Sequence, residues 1–143
     1  MNTTTDLPAD HLRLLHTLKV TARIAVGFVW FWEGLVPKIL QVTPLEVEMV
    51  TRSGLWRGSP ETTIQWLGVA MMIAGVILMS GWLERLAQFV ATVSILVLIV
   101  LVVRNSPGAW FDPYGGLAKD ACLFACSAVV WFLSPLTTRR RAP

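Results

Sequence analysis

Six residues carry groups that could do chemistry together: Glu33, Lys38, Arg104, Lys119, Asp120 and Trp30. The chemistry is that of binding rather than of bond breaking. Carboxylates and cations held where water is scarce pair with one another or with the charges of a ligand, and an indole face takes a flat apolar ring. The stretch VWFWEGLVPKIL, residues 29–40, holds three of the six. Glu33 and Lys38 are five apart with Pro37 between them, which is not the i, i+4 spacing of a helical ion pair. A partner for Glu33 is therefore expected on another helix, as Arg104 or Lys119. Three readings of the cluster stand side by side. Glu33 marks a headgroup boundary, with Lys38 at the carbonyl end of a helix; or the group is a structural salt bridge; or it lines a charged, aromatic pocket that binds a ligand.

No catalytic set accompanies these residues. The chain has no serine–histidine–acid combination and no phosphate-binding loop. Its two histidines, His11 and His16, are five apart in a polar arm and do not match a helical metal-binding pair, so no metal is expected. Cys122 and Cys126 are four apart in an apolar run, on one helix face, and are not a CxxC redox pair; a packing role is expected of them.

The elements that must position the six are apolar helices. Of 143 residues, 55% are hydrophobic and only 15% charged, against about 25% charge in ordinary soluble domains. A soluble domain of this size cannot hide that much apolar surface, so the expected solvent is the lipid bilayer. Four runs approach the length of a membrane span, roughly 17–25 residues: residues 20–36, 62–82, 86–103 and 117–133. Continuous rather than alternating hydrophobicity argues for helices, since an open sheet leaves its edges unsatisfied in lipid. Pro37 is expected to stop the first helix, and Ser134-Pro135 the last. Ser59-Pro60-Glu61 gives the second a capping serine, a proline at its first position and an acid in its first turn. A tight turn is expected around residues 81–84, and a short interfacial helix within residues 37–60.

The fold expected is thus all-α, a bundle of four transmembrane helices with one short interfacial helix in the first outer loop. Four spans put both termini on one side. That side holds seven basic residues (Arg13, Lys19, Arg23, Arg85, Arg139, Arg140 and Arg141), and the other holds five (Lys38, Arg52, Arg57, Arg104 and Lys119). The excess places the termini in the cytoplasm. Residues 1–18 are polar and no cleavage site follows them, so a signal peptide is not expected. Arg23 is read as snorkelling to the inner headgroups. The terminal arginines are read as a topology signal, and nucleic acid is not an expected partner. Small residues should let helices approach closely: Gly27 and Gly34, Gly68 and Gly75, and the run Ala118, Ala121, Cys122, Ala125. Trp30, Trp32, Trp56, Trp66 and Trp110 crowd the outer side, with Trp82 and Trp131 inside. That bias suggests an aromatic mouth suited to a flat apolar ligand such as a quinone.

Two stretches also carry a resemblance. The arginine opening the first helix and the following G-x-x-W-x-W-E-G-L-V-P-K, Gly27 to Lys38, resemble the opening of the DoxX-like family of small membrane proteins. PLEVEMV resembles the segment that follows there, and DPYGGLAKD, Asp112 to Asp120, resembles that family's loop into its last helix. Asp120 departs from the pattern, which has asparagine after the loop lysine. The resemblance implies a four-helix membrane domain over residues 19–135, between a cytoplasmic arm (1–18) and a basic tail (136–143), in the inner membrane. The wider family takes its name from a subunit of a membrane thiosulfate:quinone oxidoreductase, and some relatives are linked to redox-stress assemblies. The implied function is an accessory or quinone-associated subunit of a membrane redox system, with a membrane or soluble oxidoreductase as partner and self-association open. The alternatives are a small-molecule or lipid binding or transport protein, and a non-catalytic assembly partner.

Overall fold

The computed structural model describes residues 9–105 and 116–138. Among them every regular element is helical: α1 (Ala9–Leu35), a π-helical turn (Val36–Leu40), α2 (Pro44–Ser53), α3 (Pro60–Ser80), α4 (Glu84–Asn105) and α5 (Gly116–Thr138). Trp110, Phe111, Tyr114 and the terminal arginines lie outside the described residues.

Local chemistry accounts for most of the boundaries. The α1 helix starts at Ala9, well before its apolar run, so the second half of the polar arm is helical. Asp10 in the first turn and the good helix formers Leu12, Leu14, Leu15 and Leu18 favour that extension. Pro37 does not stop the helix as expected. It cannot donate to the carbonyl of Glu33, and its ring crowds that carbonyl. The turn widens instead, and the Gln41 N–H donates to Val36 O at 2.8 Å, a five-residue closure. Thr43 then caps α2 by accepting from the Glu46 N–H at 3.3 Å. Ser59 caps α3 by accepting from the Thr62 N–H at 3.1 Å. Gly81, at φ +75°, ends α3 in the left-handed conformation that a side chain disfavours. The α5 helix continues through Pro135 to Thr138 rather than ending at Ser134. So close to the helix end, a proline removes one ladder bond and leaves little helix beyond it to bend.

The helices α1, α3, α4 and α5 pack in ring order, each on the next, with α5 closing onto α1; α2 lies against α3 and α4. The closest approach is between α1 and α3. There Gly27 meets Gly75 and Gly34 meets Gly68, backbone to backbone. The seven-residue spacing within each helix keeps both pairs on one seam. The core is Val26, Trp30, Met71, Leu78, Ala91, Ile95 and Leu123.

Outside this core the surface is apolar. Phe28, Ile73, Val76, Phe89, Leu96, Val100 and Phe132 all point outward and are at least half exposed. Two stretches, Asp10–Leu40 and Pro60–Ser80, are long and apolar enough to cross a membrane. Ala118, Ala121, Cys122 and Ala125, expected to pack, are instead exposed on α5. Both cysteines are free thiols.

Candidate functional site

At the end of the ring where α1 stops and α5 begins, Lys119 Nζ lies 2.8 Å from Glu33 Oε1. Both side chains are about one third exposed (39% and 31%), which makes this a surface-edge pair. Asp120 is half-buried beside them. The other three residues read from the sequence do not join this pair. Lys38, on the π turn, bonds Glu46 of α2 at 2.7 Å, with the two side chains 12% and 20% exposed. Arg104 is exposed at the end of α4, with no ion pair among the described residues. Trp30 is 7% exposed and belongs to the core, one turn below Glu33. An indole packed against Val26 and Met71 is a wall of the interior rather than of a mouth.

The same end carries an open cavity of about 600 Å³. Its walls are Trp56 and Leu55 from the α2–α3 link, and Trp66, Thr62 and Thr63 from the first turns of α3. Arg57 stands at its edge, its backbone held by Thr63: the Arg57 N–H donates to Thr63 Oγ1 at 3.3 Å. Trp66 is 70% exposed and Trp56 42%. Two indoles and a guanidinium offer flat apolar area with a fork of donors at its rim.

The opposite end holds the buried polar residues Lys19, Gln88, Ser127 and Ser134, gathered around Glu84 in a cluster that no sequence argument above placed. Glu84, the first residue of α4, accepts from Lys19 at 3.1 Å and from Arg23 at 3.0 Å, both on α1. Ser134 Oγ of α5 donates to the same carboxylate. Arg23 also reaches the Met79 carbonyl at 3.5 Å and lies over Gly81. Arg23 is thus a half-buried ion-pair partner that joins α1 to α4, rather than a cation reaching only to the headgroups. One turn along α4, Gln88 Nε2 donates to Ser127 Oγ at 2.6 Å, with both residues almost fully buried. Glu84 stands just ahead of the apolar run of α4. Burial pushes its carboxyl up, but hydrogen bonds from Ser134, Lys19 and Arg23 and the Lys19 charge outweigh this and hold it below the ordinary carboxylate value.

A signal for this junction was present in the spacing. Lys19 and Arg23 are four apart, Glu84 and Gln88 four apart, and Ser127 and Ser134 seven apart, each pair on one helix face. Counting charges per span hides such a stripe, because Gln88 and the serines carry none. Among the described residues no three His, Cys, Asp or Glu side chains gather in a way that could hold a metal.

Residues 27–128 match the model of the DoxX-like family, which covers well over half of the chain. No curated protein and no solved structure gives a significant match.

Proposed function

The chain belongs to the DoxX-like family and is a membrane protein, and from that premise we propose that it is a four-span accessory subunit of a redox system in the inner membrane, holding a quinone at its outer face. Both termini lie in the cytoplasm in this reading, and α2 lies at the outer headgroup level. The apolar exterior supports four spans. Phe89, Val93, Leu96 and Val100 of α4, and Val129 and Phe132 of α5, are exposed, and lipid is the solvent that accepts such a face.

The observation that carries the quinone is the cavity between Trp56 and Trp66. A quinone ring stacks on an indole, its isoprenoid tail follows the exposed leucines into lipid, and the Arg57 guanidinium donates to a ring carbonyl. The Glu33–Lys119 pair and Asp120 stand at the same end as a further polar rim. Among the described residues the lining holds no histidine, cysteine or carboxylate, and the role proposed is to hold the ring and present it to an oxidoreductase partner.

Extraction in mild detergent followed by mass spectrometry tests this. The expected result is a quinone co-purifying with the native chain at near one per chain, lost in Trp66→Ala and Trp56→Ala while the fold is retained. Native protein that purifies free of quinone, or equal quinone in the tryptophan variants, overturns the reading.

A further inference from the structure

The outward face of α1 carries a stripe that nothing among the described residues covers. Leu14, Leu18, Thr21, Ala25, Phe28 and Trp32 are all exposed. They follow one another in steps of four, three, four, three and four residues. A period of about 3.5 residues is that of the seam between two helices that coil around each other. The inward side of α1 is already taken. Lys19, Ala22, Val26 and Trp30 are buried, and Gly27 and Gly34 meet α3.

This stripe also runs past the end of the bundle. Gly27 meets Gly75 and Gly34 meets Gly68, so α1 and α3 are antiparallel. From the first of these contacts α3 continues six residues to its cap at Gly81, whereas α1 continues eighteen to Ala9. The α1 helix therefore overhangs the α3–α4 turn by twelve residues, about 18 Å at the helical rise. Leu14 and Leu18, each about half exposed, lie in the overhang. In the four-span reading that turn marks the inner edge of the lipid, and the overhang stands in water. Lipid accepts Phe28 and Trp32, but two half-exposed leucines in water favour burial against protein. One occupant suits both halves of the stripe: a second helix of the same period.

We infer that this occupant is α1 of a second copy, lying parallel to the first. Two copies inserted the same way are related by a two-fold axis along the membrane normal, which sets each stripe residue against its own equivalent. Burial of Leu14 and Leu18 drives association on the water side. In lipid that drive is absent, and Thr21 and Ala25 instead let the backbones approach closely. Phe28 and Trp32 are already stacked, with ring centroids 6.1 Å apart, and so lose little freedom on packing. Positions 15, 17, 22, 24, 29 and 31, which flank the stripe, are uncharged. Lys19 and Arg23 are turned to Glu84, so the copies meet without like-charge repulsion. From Leu14 to Trp32 the seam is about 27 Å long between helices about 10 Å across. Such a pair buries on the order of 1,000 Å², where specific interfaces begin. The inference rests on the four-span reading, which puts the overhang in water.

Disulfide trapping tests the pairing on the full chain in open membrane fragments, with Cys122 and Cys126 replaced by serine. Leu18→Cys, Thr21→Cys and Ala25→Cys lie on the seam, and His16→Cys lies on the opposite face of the helix. All four positions are exposed, so none of these changes disturbs the core. Under a mild oxidant each seam variant should form a disulfide-linked dimer, in several-fold higher yield than His16→Cys. That yield should hold when the fragments are fused with excess lipid. Absent seam dimers, equal yields at all four positions, or yields that fall on lipid dilution as for chance collisions, overturn the pairing. His16→Cys should also react with a membrane-impermeant maleimide. An unreactive His16→Cys means that the overhang is not in water, and the four-span reading fails with the proposal. A reactive His16→Cys beside unlinked seam variants sinks the pairing alone. Leu14→Glu with Leu18→Glu, added to Thr21→Cys, should cut its cross-linking several-fold without moving the unfolding midpoint. Unchanged cross-linking there counts equally against the proposal.

Discussion

The carbonyl oxygen of Gly27 stands 2.6 Å from the point that a Cβ on Gly75 would occupy, and the carbonyl of Gly75 stands 2.8 Å from the Cβ position of Gly27. One turn pair further along the same seam, Gly34 and Gly68 repeat the arrangement at 2.5 and 2.7 Å. The two helices touch through their backbones, so no side chain, however small, fits between them.

Gly75→Ala should therefore destabilise the fold by about 1–3 kcal/mol, the range for overpacking. The atoms it meets, Gly27 O at 2.6 Å and Phe31 N at 2.7 Å, are backbone and cannot rotate away. The check is thermal unfolding in detergent. Ala70→Val, on the exposed face of the same helix, should leave the midpoint nearly unchanged.

Gly81→Ala should cost more than Gly54→Ala. Both glycines have positive φ, +75° and +66°, so both substitutions carry the left-handed penalty of about 1–2 kcal/mol. Around Gly54 there is open space, whereas a Cβ on Gly81 runs into the Arg23 guanidinium. The difference between the two midpoints isolates the displacement of Arg23 from Glu84.

Glu84→Gln should lower stability by about 3 kcal/mol, the low end for breaking a buried pair because the carboxylate keeps some exposure. It leaves Lys19 and Arg23 facing each other without a counter-charge. The pH dependence follows from the depressed carboxyl. In the unfolded chain Glu84 has the ordinary, higher value, so its stabilisation is complete at neutral pH and is lost as pH falls through the lower folded value. Native protein should lose stability on acidification below the ordinary carboxylate range, and Glu84→Gln should lose less over the same interval. Equal acid sensitivity in the two would contradict the assignment.

Glu33→Gln should cost more than Glu48→Gln. The first breaks a partly shielded contact between α1 and α5 at 2.8 Å; the second breaks an exposed i, i+4 pair with Arg52 at 2.6 Å, within one helix. About 1 kcal/mol against at most about 0.5 kcal/mol is expected. Denaturation midpoints at low and high salt check this, since salt should shrink the Glu48 effect further.

The sequence by itself determined what kind of molecule this is and where most of its helices begin. Ser59-Pro60 starts α3, Gly81 ends it, and residues 81–83 make the tight turn to α4, because caps and left-handed glycines act through the backbone next to them in the chain. The seven-residue glycine spacings on α1 and α3 were legible for the same reason. Candidate partners for Glu33 narrowed to two, and the structure selects Lys119.

What only the tertiary structure decided is the rotation of each helix about its own axis. In a chain whose lipid-facing and core-facing residues are both apolar, hydrophobicity does not say which face turns inward; packing does. That is why Trp30 sits in the core, why Ala118, Ala121, Cys122 and Ala125 face outward, and why Lys38 pairs with Glu46. It is also why Lys19, Arg23, Glu84, Gln88, Ser127 and Ser134 converge. Their three helices come together at that end only once α1, α4 and α5 have packed, and there the polar stripes must meet one another because nothing else in the interior can satisfy them.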